Sequence, residues 1–396
     1  MMRKLLVTAL LLALPAIADA QSLFDTRGLG TPAEGFDARA RALGVNGVGL
    51  LGLSTSMVNP AEQAGTVRRG VSASFQPWIG TTDFQGENDD ISATRFPLVS
   101  IVYPTRFATF TLGYSSVLEQ SYAVIAEGRE ILGSDTVPTQ DVVEHIGGIN
   151  QIRFGATRYL SRNFALGVSI GLYTGNLDRG FSRTYPDTTL GFRDFETHTR
   201  WNYSAPQASV GFRWDPMSDL RVGGSVTWSG TLKAEPSDSG PALTYEYDMP
   251  LRFAVGASGR VGRNLYAAVS GTWVSWSSGD YRTPGSLEAT AAEQQMEIGG
   301  GLEYQELRSG NRIFPLRLGA RTAKLPFHLV GEEAPTEWAI TGGIGFRLVE
   351  DEFGPLAVAD VGVERATREG LSSSAVSEGL KESFWRFTVS LSLFGR

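Results

Sequence analysis

The sequence of 396 residues contains no cysteine, which excludes a disulfide framework and any lipid carried on a cysteine thiol. It has only three histidines, His145, His198 and His328. They are isolated in sequence, with no second histidine or carboxylate at metal-ligand spacing, so no metal or other cofactor is expected and all three read as loop or strand-end residues. Positive charge is in deficit: 35 Lys and Arg against 42 Asp and Glu give a formal net charge of −7. That sets aside nucleic acid as a partner, because displacing phosphate counterions needs a basic footprint. After residue 20 no segment reaches the ~18 apolar residues of a spanning helix. If this chain crosses a membrane, it does so with strands.

What is present begins with a leader. Arg3-Lys4 precede the apolar stretch Leu5 to Ile17, and Ala18-Asp19-Ala20 follow, the order of an export signal with a small-residue cleavage site. Residues 1–20 are expected to be a signal peptide. Forty-seven glycines and 10% aromatics suit a chain of many strands and turns. In "FALGVSIGLY" the apolar residues Phe164, Leu166, Val168, Ile170 and Leu172 alternate with Ala165, Gly167, Ser169, Gly171 and Tyr173. The same period of two runs through "LRFAVGASGRV", "WAITGGIGFRL" and the last segment, "FWRFTVSLSLF". One face is greasy, and the other is small, polar or charged.

Connection lengths separate a membrane barrel from a soluble sandwich. Short connections fall near residues 104–106, 161–163, 215–219, 262–264, 308–311 and 350–354. Long polar ones fall at 81–94, 128–143, 178–195, 235–246, 279–292, 325–335 and 368–381. The two kinds alternate strictly, as tight periplasmic turns and long outer loops do. The expected fold is all-β: a transmembrane antiparallel β-barrel of about 14 strands over residues 70–396, monomeric, in a bacterial outer membrane. Arg252, Arg260, Glu297, Glu303, Arg317, Arg321, Arg347 and Arg386 then face a polar lumen, since each would cost a few kcal/mol on the lipid side. Trp201, Trp228, Trp273, Trp276, Trp338 and Trp385 are placed in aromatic girdles near strand ends.

Residues 21–69 do not alternate. They are read as a plug, or hatch, in the lumen, with glycines permitting close backbone packing. Gly47-Val48-Gly49-Leu50-Leu51-Gly52 formally matches a dinucleotide fingerprint, but no hydrophobic strand precedes it and no acidic residue follows about 20 positions on. The acidic run Asp83 to Asp90 reads as a solvated loop, with Ca²⁺ or bridged lipopolysaccharide as the functional alternative. In "LPFHLVGEEAP", Leu325, Phe327, Leu329 and Val330 place apolar side chains where a loop should face solvent, which marks a candidate ligand-binding surface.

Three segments together resemble the FadL-type transporters of hydrophobic compounds. "ARALGVNGVGLLGLSTSMVNPA" is similar to that family's glycine-rich hatch ending in Asn-Pro-Ala, here Asn59, Pro60 and Ala61. "MPLRFAVGASGRVGRNLYAAVSGTWVSWS" and "FPLRLGARTAKLPFHLVGEEAPTEWAITGGIGFRL" resemble two of its strand pairs, in the family's order. The resemblance implies a fourteen-stranded barrel with an N-terminal plug and no enzymatic activity. It also implies passive transport of long-chain fatty acids or hydrocarbons, captured by outer loops and released past a hatch that includes Gly47, Gly49 and Asn59 to Ala61. The expected partners are a hydrophobic small molecule, outer-membrane lipid and lipopolysaccharide. Two other readings are a FadL-related barrel that binds protein partners in secretion, and an outer-membrane enzyme acting on lipid.

Overall fold

Period-two alternation becomes a wall. In the computed structural model, fourteen strands follow one another around a closed antiparallel barrel. The first seven are β1 (Gly70–Phe84), β2 (Glu87–Pro104), β3 (Thr109–Glu119), β4 (Asp135–Tyr159), β5 (Phe164–Thr184), β6 (Phe195–Met217) and β7 (Leu220–Ser229). The second seven are β8 (Leu251–Arg260), β9 (Leu265–Ser275), β10 (Gln295–Ser309), β11 (Arg312–Lys324), β12 (Thr336–Asp351), β13 (Gly354–Gly370) and β14 (Leu380–Phe394). β14 pairs back onto β1, from Gly70 opposite Phe394 to Asp83 opposite Lys381. The structure describes residues 22–84, 86–132, 135–186, 193–237, 243–276, 280–281, 283–284, 290–309, 312–328, 334–352, 354–370 and 379–395. The expected signal peptide lies outside them.

Closure gives every barrel strand a partner on each side, which is the condition for crossing hydrocarbon without helices. The outer surface is apolar: Val168, Ile170 and Leu172 are 54%, 67% and 59% exposed, while Ser169 between them is buried. Glu297, Glu303, Arg317, Arg321 and Arg386 are buried on the inner side. Two charges depart from expectation. Arg260, the last residue of β8, is exposed and pairs with Asp219 at 2.6 Å. Arg347 precedes a register shift in β12 and pairs with Glu350 at 3.2 Å. Both sit beside short turns, where the ladder ends and side chains reach solvent. Trp228, Trp273, Trp338 and Trp385 are exposed as a girdle requires, but Trp201 and Trp276 are buried inside.

The connections at the end away from the chain termini are less loop-like than their composition suggests. β1 and β2 stay paired to Phe84 opposite Glu87, so the acidic run is the tip of a hairpin. β5 and β6 pair out to Arg183 opposite Phe195. Residues Tyr122–Leu132, continuing beyond β3, pair with the first part of β4 from Tyr122 opposite His145 to Leu132 opposite Asp135. Polar side chains on both faces do not prevent a ladder from standing in water; they only remove the alternation by which it is recognised. The wall is therefore uneven. β4 and β6 have 25 and 23 residues, β7 and β8 have 10 each, or roughly 80 Å against 33 Å at about 3.3 Å per residue.

The wall also parts at one place. β2 and β3 pair only from Leu98 opposite Ser115 to Pro104 opposite Thr109. Beyond Leu98, toward the outer end, β2 continues beside β1, while Glu119 and Leu118 pair with Thr31 and Pro32 from the N-terminal segment. A cavity of about 320 Å³ lies here, lined by Arg95, Phe96, Tyr114, Ser116, Leu118 and Asn150 among others.

Candidate functional site

Residues 22–64 are almost wholly buried, and what buries them is the inner face of the wall. A short helix, α1 (Ala38–Ala42), is capped by Asp37, whose carboxylate accepts from Ala40 N at 2.9 Å and from Thr55 N. Acceptance of those otherwise unpaired N–H groups is what lets so short a helix persist. Its own first amide, Ala38 N, donates to Ser390 Oγ of β14 at 2.7 Å. Further round, Asn46 N donates to Ser270 Oγ of β9 at 2.9 Å and Leu51 N to Ser258 Oγ of β8 at 2.7 Å. Ser225 of β7 donates to Val58 O at 2.9 Å, and Arg153 of β4 to Met57 O at 2.6 Å. One segment thus collects hydrogen bonds from strands on all sides of the barrel.

The glycine-rich stretch fits its place by contact. Gly47 and Gly49 have φ of +82° and +65°, a backbone region that side chains disfavour. A Cβ on Gly49 would collide with the carbonyl of Gly256 in β8, and one on Gly256 with the carbonyl of Val48. Gly319 of β11 likewise meets the backbone of Leu43. Glycine on both partners lets backbone lie on backbone.

Asn59, Pro60 and Ala61 form a tight turn against β5 and β6. Asn59 Oδ1 accepts from Ala61 N at 3.0 Å, and Asn59 Nδ2 donates to Phe212 O and to Glu62 Oε1, both at 2.9 Å. Glu62 Oε1 also accepts from Gly49 N at 2.7 Å, tying the glycine stretch to the turn. Burial raises the Glu62 pKa, an effect only partly offset by these hydrogen bonds and by Arg221 and Arg213. All five residues singled out in this segment are therefore part of one packed unit.

Around α1 the inner wall is charged. Arg39 makes a bidentate pair with Glu303, at 2.8 and 2.9 Å, and Glu303 also accepts from Arg317 at 2.7 Å. Glu364 accepts from Arg321 at 3.0 Å and from Arg386 at 2.5 Å, and lies 3.6 Å from Arg41. Glu337 joins Arg321 to Arg368. Each carboxylate is shared between guanidinium groups, the arrangement in which buried charge is tolerable.

Toward the tall end the interior changes to aromatic. Tyr173, Trp201, Tyr203, Tyr247, Trp276 and Tyr281 form one buried cluster with Leu118, Ile149, Leu177 and Leu232. Tyr247 stacks on Tyr281 at 6.1 Å between centroids, and Trp276 meets Tyr281 edge-on at 5.3 Å. Leu29 of the N-terminal segment is packed into this cluster. Trp201 and Trp276, expected in a girdle, thus belong to an internal aromatic chamber that is filled by packed side chains, Leu29 among them. His145, expected at a loop or strand end, is inside β4, buried and 4.5 Å from Tyr122 ring to ring.

The outer loop residues also differ from expectation. Leu325 and Phe327 do not face solvent: they are 3% and 1% exposed and pack with Phe24 and Leu380. The N-terminal segment gives them an apolar partner that sequence proximity could not reveal. Leu329 and Val330 lie outside the described residues. His328 and His198 each face one carboxylate, Glu293 at 3.3 Å and Asp178 at 3.4 Å. Among the described residues no three His, Asp or Glu side chains group as a metal site.

The architecture defines a class: a closed fourteen-stranded antiparallel barrel with an apolar exterior and a packed interior. Within that class the chain has the fold of the FadL-type transporters of hydrophobic compounds. A FadL homologue of Pseudomonas aeruginosa matches with a TM-score of 0.60 at 12% identity, over 92% of this chain and 99% of that one. The toluene transporter TbuX of Ralstonia pickettii matches at 0.57 and 17% identity, with the same coverage. The toluene transporter TodX of P. putida matches at 0.57 and 14% identity, also over 92% and 99%. At these identities the likeness is one of fold. No family model and no curated protein matches the sequence.

Proposed function

We propose that this chain is a passive outer-membrane channel for hydrophobic small molecules, aromatic hydrocarbons or long-chain fatty acids, with residues 21–69 as its plug. The observation that carries the reading is the aromatic chamber at the tall end of the barrel, which Leu29 of that segment fills. Leu118 lines both the chamber and the parting between β2 and β3. A ligand that displaces Leu29 would pass Leu118 to reach this parting, whose lining also holds the Arg95–Glu119 ion pair at 2.8 Å. Asn59 to Ala61, Gly47 and Gly49 anchor the plug at one side and Ser22, held by Glu382, at the other, while the stretch around Leu29 moves. Leu325 and Phe327 hold the outer part of the segment by packing with Phe24.

Uptake of labelled toluene and oleate by a Gram-negative host lacking its own transporter tests this. The intact protein and a form deleted for residues 21–58 are compared, with both verified in the outer membrane. Uptake by the intact protein, saturable in ligand, is the expected result. Uptake of neither compound by either form would overturn the reading.

A further inference from the structure

The chamber that this transport reading uses is not purely apolar. Its hydroxyls and one indole are satisfied within the protein: Tyr203 donates to Gln120 Oε1 at 2.7 Å, Tyr281 to Asp248 O at 2.8 Å, and Trp201 Nε1 to Leu243 O at 3.0 Å. Tyr173 and Ser229 pair at 3.2 Å. Two buried donors are left over. Trp276 Nε1 and Gln120 Nε2 have no partner among the described residues, although Trp276 is 8% and Gln120 1% exposed. A buried N–H that gives up water without a replacement is costly and uncommon.

Both donors border the same piece of chain. Gly28, Leu29 and Gly30 line a small cavity of about 10 Å³ together with Trp276, Tyr281 and Phe327. On its other side Gly30 is pressed against Glu119 and the Gln120 side chain, so closely that a Cβ would lie 2.7 Å from Gln120 Cγ. Leu29 is thus packed among aromatic side chains, with Trp276 lining the cavity beside it and Gln120 against the next residue, Gly30. The side chains around Leu29 in the cluster are apolar and aromatic, which suits a neutral occupant.

We propose that, in place of Leu29, the chamber takes monocyclic aromatic molecules carrying a neutral hydrogen-bond acceptor, such as phenols and aryl ketones. Trp276 and Gln120 supply the donors. The aromatic walls bind the ring whatever its substituent, and the donors discriminate in favour of an oxygen. A single hydrogen bond of this kind is worth about tenfold in affinity. Leu29 itself satisfies neither donor, which makes it a replaceable occupant.

The test is equilibrium binding of p-cresol and of toluene, by calorimetry, to the purified full-length protein in detergent, which is compared with Leu29→Ala and with the triple variant Trp276→Phe/Gln120→Leu/Tyr203→Phe, the last change removing the hydroxyl that Gln120 accepts from. Heat-modifiable gel migration verifies that each barrel is folded. p-Cresol is expected to bind about tenfold tighter than toluene, both ligands to gain in Leu29→Ala, and the triple variant to lose the preference while keeping toluene. Equal affinity for the two ligands, unchanged by the triple variant, would overturn the assignment of acceptor recognition and leave the transport reading standing. No binding of either ligand, even to Leu29→Ala, would remove the chamber from both.

Discussion

The two ends of the interior hold the same N-terminal segment by opposite means. Near α1, Arg39 and Arg41 enter a lattice of shared carboxylates formed by Glu303, Glu364 and their guanidinium partners. Some ten residues earlier, Leu29 enters an aromatic cluster in which it makes only apolar contact. Breaking a buried ion pair strands a charge at a cost of about 3–5 kcal/mol. Withdrawing a leucine forfeits its burial alone, about 1.5–3 kcal/mol. The two seats therefore differ in what their loss costs, although Ser22 and Leu23, ahead of Leu29, are again held by Glu382 at 2.8–3.0 Å.

Substitutions at either end, and along the segment between them, put that contrast to the test. The largest effect is expected from Glu364→Ala, which leaves Arg321, Arg386 and Arg41 without their common acceptor. A loss of about 3–5 kcal/mol should appear as a clear fall in the heat-denaturation midpoint of the detergent-solubilised barrel. An unchanged midpoint would show that the network contributes nothing to stability. Gly319→Val comes next. Its side chain would strike the Leu43 backbone, so the segment should leave its seat and become cleavable by added protease in a barrel that still closes. Protection equal to that of the unsubstituted protein would show that the seat adapts.

Asn59→Ala removes the acceptor for Ala61 N and the donor to Phe212 O, with an expected cost of about 1–2 kcal/mol on the scale of lost capping side chains. Uptake through that variant should become less dependent on ligand concentration, as the turn no longer holds the segment; saturation indistinguishable from the unsubstituted protein would argue against anchoring. The smallest effect belongs to Glu62→Gln. Because burial raises the Glu62 pKa, its stabilising share is fully present below its unfolded value of about 4.3 and is lost as pH rises through the folded one. The substituted amide keeps a carbonyl oxygen to accept from Gly49 N, without the titration. The variant should match or slightly exceed the unsubstituted protein in stability at neutral pH and flatten its pH dependence; a steeper dependence would contradict the sign.

Much of the barrel could be read from sequence because its two solvents differ so sharply. Strands such as β5 and β14 alternate between lipid-facing and lumen-facing residues, and charges such as Glu303 and Arg317 fall on the inner parity. The chamber was less legible although a signal existed. Trp201 shares parity with Tyr203, Ala205, Gln207 and Ser209, all buried, and His145 shares it with Ile149, Gln151 and Arg153. Parity carried outward past the apolar belt would have turned both inward. The seat of the segment was not legible at all, since Ala38 meets Ser390 and Asn46 meets Ser270 across 352 and 224 positions. Nor could composition separate a loop from a paired hairpin at residues 178–195, where both faces of the ladder meet water.

The seam between β1 and β14 has a consequence for how the molecule is made. Its two sides are the first and last strands of the barrel, so the cylinder cannot shut until synthesis and delivery are complete. The segment before β1 takes its hydrogen bonds from β4, β7, β8, β9 and β14, and a closed wall leaves that packed unit no way in from the side. An assembly that gathers the strands around the segment, as around a mandrel, would let the final pairing enclose a core already in place. Contacts this distant in sequence are slow to form, and a machine that held the seam apart would give them the time.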